Sequence, residues 1–170
     1  MTSREYRRLE GHQKEILDLY LSEYPVKLGK LAKELGVSIK VSSMSTGVSG
    51  QIMKEGDHYT IRVNRHEARE RQRFTIAHEL SHFFLHKTII DSSPDGIKDN
   101  VLYRSGAPER IEYEANRLAA DIVMPMALVE QVLRDEFDGV VTEATIESLA
   151  ARFQVSKAAM EIRLSTFAEA

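Results

Sequence analysis

The sequence predicts an α+β fold: a small antiparallel three-stranded sheet packed on one long apolar helix, followed by a helical C-terminal subdomain. Three observations predict it. Residues 37–63 alternate apolar and polar positions between turn signals, as half-buried strands do. The run from Phe74 to His86 is apolar round most of its circumference, which marks a buried helix. Beyond Pro125, helix-period segments follow one another to the end of the chain. Residues 1–125 are expected to hold the sheet, the N-terminal helices and the central helix. Residues 126–170 form the helical subdomain.

Taken in order, residues 3 to about 21 read as one helix with Tyr6, Leu9, Ile16, Leu17 and Tyr20 as its apolar residues, Ser3 as N-cap and Gly11 as a weak point. Pro25 opens a second helix over roughly 26–35, with Leu28, Leu31, Ala32 and Leu35 facing the core and Gly36 ending it. Residues 31–38 resemble the first half of a DNA-reading helix-turn-helix. The alternation of Val37, Ile39 and Val41 on to Met44 suits a strand better. Strands are expected over 37–44, 50–54 and 59–63, with Thr46-Gly47 and Glu55-Gly56-Asp57 as turns. A sheet edge beside a reactive site can align an extended peptide by strand addition.

Arg62, Arg65, Arg69, Arg71 and Arg73 stand against Glu67 and Glu70, a local excess of positive charge. The plain reading is a solvated helix start with ion pairs along it. The sharper one is a docking patch for an acidic partner or a single nucleic-acid strand. Residues 87–108 are polar and turn-rich around Asp91-Ser92-Ser93-Pro94-Asp95-Gly96, and read as a loop that can lie over a cleft. Helices follow over about 109–124, 126–137, 143–153 and 156–167. The last two have helix-turn-helix spacing, but residues 142–170 carry a net charge of −1. A DNA-reading element is more basic than that, so this is expected to be a packing or partner-binding subdomain.

The chemistry centres on His78-Glu79-Leu80-Ser81-His82. Residues four apart on a helix sit one turn above each other, so His78 and His82 can hold one metal ion through two imidazole nitrogens. Glu79 lies about 100° round the helix, where a general base for an activated water belongs. With six His and eighteen Glu in 170 residues, chance supplies this pattern roughly 0.02 times. Thr75, Glu79, His82 and His86 form a polar stripe opposite Ile76, Ala77, Leu80, Phe83 and Phe84. Imidazoles and carboxylates on so apolar a helix need partners.

Two His leave a catalytic metal one protein ligand short. The candidates on the next helix are Glu112 and Glu114. With Ala115 as zero, Glu112 falls at about +60°, bordering the apolar face, and Glu114 at about −100°, pointing away. This favours Glu112, with Glu114 the alternative. His86 continues the row, but lies about 12 Å from His78 along the axis, too far for one ion. A supporting role behind the ligands or at the helix end suits it. Tyr103, Arg104 and Tyr113 are candidates to stabilise an oxyanion.

Composition sets the outer limits. A chain of 170 residues, 42% hydrophobic and 29% charged, can bury one real core. The net charge of −3 argues against general affinity for nucleic acid or an anionic membrane. With no cysteine there is no disulfide framework, thiol nucleophile or Cys-type zinc site. Without a long apolar span or a signal-peptide core, a cytoplasmic protein with no membrane contact is expected. Oligomeric state is not encoded legibly.

Arg73-Phe74-Thr75-Ile76-Ala77-His78-Glu79-Leu80-Ser81-His82, followed by Glu112-Tyr113-Glu114-Ala115-Asn116-Arg117-Leu118-Ala119-Ala120-Asp121-Ile122-Val123-Met124-Pro125, resembles the ImmA/IrrE family of zinc metallopeptidases. Leu31-Ala32-x-x-Leu35-Gly36-Val37 and Leu149-Ala150-x-x-Phe153-x-Val155-Ser156 extend the resemblance over roughly 25–165. Ser81 stands where Gly is frequent, and Ile122-Val123 where Leu-Leu is more usual; neither touches the metal chemistry. The resemblance implies a zincin-like core in residues 1–125, His78, His82 and Glu112 as Zn2+ ligands, and Glu79 as catalytic base.

It also implies a zinc-dependent endopeptidase that cleaves a partner helix-turn-helix transcriptional repressor in a stress, mobile-element or phage-defence circuit. Some relatives respond to DNA damage or single-stranded DNA, and the arginines of 62–73 offer a place for such an activator. The alternative is a catalytically silent binding module that regulates a transcription factor by contact. Glu79 beside both His favours the enzyme, since contact alone requires no such residue. A His2Glu set also suits Mn or Fe.

Overall fold

The computed structural model describes residues 2–100 and 109–168. Among these, β1 (Val37–Ser42), β2 (Val48–Glu55), β3 (His58–Asn64) and β4 (Ile97–Asn100) form one sheet in the order β1-β3-β2-β4. β2 and β3 make an antiparallel hairpin. They are the central strands: Ile52, Thr60, Ile61 and Val63 are fully buried.

This corrects the three-stranded antiparallel sheet expected from the sequence. β1 runs parallel to β3, from Val37 opposite Tyr59 to Ser42 opposite Asn64. Alternation reveals which face a residue shows, and says nothing about which neighbour its strand takes. Burial on both faces makes β3 a central strand and leaves β1, buried only at Val37, at the edge.

β4 pairs antiparallel with β2 at the other edge. It lies in the stretch read as a loop, as does α5 (Lys87–Asp91). Ile90 and Ile97 anchor these elements in the core, but an adjacent pair, Ile89-Ile90, and a lone Ile97 in a polar run show no period. Residues 101–108, with Tyr103 and Arg104 and much of the expected lid, lie outside the described residues.

The expected N-terminal helix is two: α1 (Arg4–Arg7) and α2 (Gly11–Tyr20). Gly11 has φ +75°, outside the helical region, so the helix breaks before it. Ser3 caps α1, its Oγ accepting from the Tyr6 backbone N–H. The buried Glu5 carboxylate accepts two hydrogen bonds from Arg117, at 3.0 and 2.7 Å. Burial opposes its charge, yet Arg117 and Arg4 hold its pKa down at about 2.

After α3 (Leu28–Glu34), α4 (Arg69–Leu85) lies between the sheet and α6 (Glu109–Val123). Ala77, Leu80 and Phe83 of α4 join Ile52, Ile61 and Val63 of the sheet and Ile111, Leu118 and Ile122 of α6 in one continuous core. Then come α7 (Met126–Phe137), α8 (Glu143–Phe153) and α9 (Lys157–Ala168). They dock back on the earlier part of the chain. Phe153 stacks on Tyr24 with ring centroids 4.5 Å apart, and Arg163 pairs with Asp121 at 2.9 Å. Among the described residues, no helix is long and apolar enough to cross a membrane.

The docking of β4 is testable at Gly96, which has φ +65° and where a Cβ would lie 1.8 Å from the Ile52 carbonyl oxygen. Strain in the left-handed region and the overlap together give Gly96→Ala a cost of about 2–4 kcal/mol, read by urea denaturation. A change within about 0.5 kcal/mol, as at ordinary surface sites, would show that β4 does not close on β2 in this way.

Candidate metal centre

The helical spacing of α4 turns His78 and His82 toward α6, whose first turn brings Glu112 against them. His78 Nε2 lies 3.0 Å from Glu112 Oε2, His82 Nε2 lies 3.2 Å from Glu112 Oε1, and the two Nε2 atoms are 3.1 Å apart. On the far side of its ring, His78 Nδ1 lies 2.9 Å from Asn116 Oδ1. An amide oxygen only accepts, so His78 Nδ1 carries a proton, which makes Nε2 the nitrogen that can give its lone pair to a cation.

Two imidazole nitrogens facing the two oxygens of one carboxylate need a positive charge among them. Nitrogen and oxygen donors at 2.0 to 2.1 Å from a tetrahedral ion stand about 3.3 Å apart, close to the 3.0–3.2 Å between these groups. Glu112 Oε1 and both oxygens of Glu79 are buried without a hydrogen-bond partner among the described residues. His78, His82 and Glu112 are therefore a candidate metal-binding group, and the unpaired carboxylate oxygens fit a cation.

Glu79 is sealed in by β2. A Cβ on Gly50 would meet Thr75 Cγ2 at 2.5 Å, the Arg62 carbonyl oxygen at 2.9 Å and Glu79 Oε1 at 3.7 Å. Only a residue without a side chain lets the strand lie so close to α4. Gly50 pairs with Asp99 across the β2–β4 ladder, which puts Asp99 on the same face. Donor atoms of Asp99, His78 and Glu79 lie within 4.8 Å of one another. The sequence reading missed Asp99, because only the pairing of β4 reveals it.

The remaining site candidates fall in different places. Glu114 points away from the apolar face of α6, as the helical wheel placed it, yet it is not exposed. It is buried, accepting a 2.6 Å hydrogen bond from Arg8. A wheel records a helix's own apolar residues and cannot register that α1 covers another side. His86 ends α4, its Nδ1 2.8 Å from His82 Nδ1. Tyr113 is exposed and donates to Glu109. The arginine patch is largely engaged: Arg73 donates to the Val26 carbonyl, Arg65 to that of Val41 and Arg71 to Ser49, while Arg62 faces Glu55 at 4.0 Å.

In the metal-free protein the trio polarises. Burial opposes charge on His78, but the hydrogen bond to Glu112 and the charges of Glu79, Asp99 and Glu112 bring its pKa to about 9. Burial takes His82 down to about 4 against the pull of Glu112, with His78 adding to the fall. Burial also opposes charge on Glu112, yet His78 and His82 hold its carboxyl well below the usual range. Glu79 is pushed well above it by burial, with Asp99 and Glu112 adding and His78 opposing.

These shifts set a pH dependence. The raised folded pKa of His78 contributes stability that is full below about pH 6.5 and lost as pH rises through 9. The depressed His82 does the opposite, its contribution disappearing as pH falls from about 6.5 through 4. Between about pH 4.5 and 6.5 the raised Glu79 offsets His82, so the readable change is the alkaline one: the unfolding free energy measured by urea denaturation in chelator should fall by a few kcal/mol as pH rises from about 6.5 through 9. Glu112→Gln should flatten that fall, and an unchanged alkaline slope would refute the His78–Glu112 coupling.

Among solved structures, a Mycobacterium tuberculosis transcriptional regulator is similar in fold, with a TM-score of 0.58 at 15% identity over 96% of this chain and 48% of that one. The present chain thus spans about half the length of that structure. No curated protein matches it. A family profile for the IrrE N-terminal-like domain matches residues 32–165, which include every member of the trio and Glu79. The chain belongs to the Peptidase_M78 family of IrrE N-terminal-like domains.

Proposed function

We propose that this chain is a zinc-dependent endopeptidase in which His78, His82 and Glu112 hold the metal and Glu79 is the catalytic base. The observation that carries this is the convergence of two imidazole nitrogens 3.1 Å apart on the two oxygens of one carboxylate, at 3.0 and 3.2 Å, beside a second buried carboxylate with no hydrogen-bond partner among the described residues. A divalent ion held there supplies a Lewis acid that polarises a carbonyl and acidifies water. Asn116 holds the His78 ring with its Nε2 lone pair toward the trio. Glu79 takes a proton from the attacking water on a carboxylate oxygen and delivers it to the leaving amine nitrogen. Burial by β2 keeps bulk water from competing for that proton.

The proposed substrate is a helix-turn-helix transcriptional repressor, cut and thereby inactivated in the cytoplasm as part of a stress, mobile-element or phage-defence circuit. Membership of a peptidase family and the fold shared with a transcriptional regulator support this direction. The arginines of 62–73 lend no support to a single-stranded DNA activator, since Arg73, Arg71 and Arg65 donate to Val26, Ser49 and Val41. A silent binding module would gain nothing from a buried, unpaired Glu79.

Elemental mass spectrometry of the purified protein tests the metal set. One equivalent of zinc is expected in wild type, with loss in Glu112→Ala; Glu114→Ala should retain it at saturating zinc. Absence of metal from wild type supplied with zinc would overturn the enzyme reading. Glu79→Gln should keep zinc but lower cleavage of a helix-turn-helix repressor by about 10²- to 10⁴-fold. Undiminished cleavage would remove Glu79 from its role.

A further inference from the structure

We propose that Arg8, Glu114 and His86 form a positioning relay behind His82, which makes helix α1 a working part of the metal centre. The inference rests on His82 being a metal ligand, as argued above. His82 Nδ1 and His86 Nδ1 are 2.8 Å apart, with both rings buried. One nitrogen must donate and the other accept. When His82 gives its Nε2 lone pair to a cation, its proton is on Nδ1. His86 Nδ1 is then the acceptor, and the proton of His86 sits on Nε2.

That Nε2 is the atom left unsatisfied. It is buried without a hydrogen-bond partner among the described residues and lies 3.6 Å from Glu114 Oε1. Glu114 is held in place from outside: Arg8 donates to Oε2 at 2.6 Å, and Arg110 Nε lies 3.6 Å from Oε1. A carboxylate facing His86 Nε2 favours the tautomer with a proton there. The opposite tautomer would aim a lone pair at the carboxylate and leave two N–H groups opposed at 2.8 Å. The order carboxylate, imidazole, imidazole, metal thus follows from the geometry, with His86 strengthening His82 as a ligand.

The outer end of the relay comes from outside the matched residues. Arg8 directly follows α1, and the family profile begins at residue 32. Three further bonds seat α1 on α6: the Ser3 backbone N–H donates to Asp121 at 2.8 Å, and Glu5 accepts two from Arg117. The N-terminal segment therefore fixes the position of a charge that reaches the metal ligands in two steps.

Zinc affinity, measured by chelator competition, tests the relay in the full chain. His86→Leu removes the acceptor and should weaken binding about 10- to 100-fold. His86→Asn, whose Oδ1 can accept from His82 Nδ1–H, should recover most of the loss. Arg8→Ala, at a residue whose side chain is 55% exposed, tests the outer end without opening the core. Together with Glu114→Gln, it should weaken binding by about threefold or more, toward the low end of such effects. Nitrogen-15 NMR of zinc-loaded wild type should find the His86 proton on Nε2 and Nδ1 bare, a reading independent of whether any variant folds.

A His86 proton on Nδ1, or zinc affinity unchanged in all four variants, overturns the relay while leaving the metal site standing. Failure of wild type to bind zinc overturns both.

Discussion

The structure depends on one electrostatic constraint: α4 packs on α6 at the point where three lone-pair donors meet. Two imidazole nitrogens and a carboxylate within 3.2 Å of each other repel unless a cation or a proton sits among them. Bare, the site falls back on a proton, which is why His78 and His82 shift in opposite directions from one ordinary value. The apolar contacts of Leu80, Phe83, Ile111 and Leu118 hold the helices together regardless. Packing supplies the close approach, and the charge decides whether it is comfortable.

The sheet serves the same centre. β2 reaches α4 closely because Gly50 has no side chain to meet Thr75, and this covers Glu79. On the next strand, Asp99 takes the face that Gly50 leaves open. Three carboxylates, Glu79, Glu112 and Asp99, therefore share a small volume with two imidazoles. Such a concentration of carboxylates inside a core is tolerable only around a cation or with some of them protonated. The burial that raises Glu79 in the metal-free protein also shields it for proton transfer.

Legibility in the sequence divides along physical lines. Short-range periodicities were readable. The i, i+4 spacing brought out His78 and His82, the helical wheel placed Glu112 at the edge of the apolar face, and α7 and α8 show plain helical periods. Long-range pairing was not readable. Nothing local in Ile97-Lys98-Asp99 announces a strand, so Asp99 stayed hidden, and nothing in the alternation of residues 37–44 reveals that β1 takes β3 rather than β2 as its neighbour. The burial of Glu114 is hidden for a related reason. A wheel ranks positions by the residues of one helix, whereas its burial is the work of α1.

The same distinction explains how a polar centre can sit inside an apolar core. A buried ligand needs a partner, and that partner, once buried, needs another. The demand is passed outward until it reaches a group in contact with water. From His78 it ends after one step, at Asn116. From His82 it runs through His86 and Glu114 to Arg8. The second path is longer because His86 and Glu114 are themselves buried, Glu114 on the side of α6 where α1 sits, so water is farther away. The segment that lengthens the path also supplies the arginine that ends it, so the N-terminal helix compensates for the burial it creates.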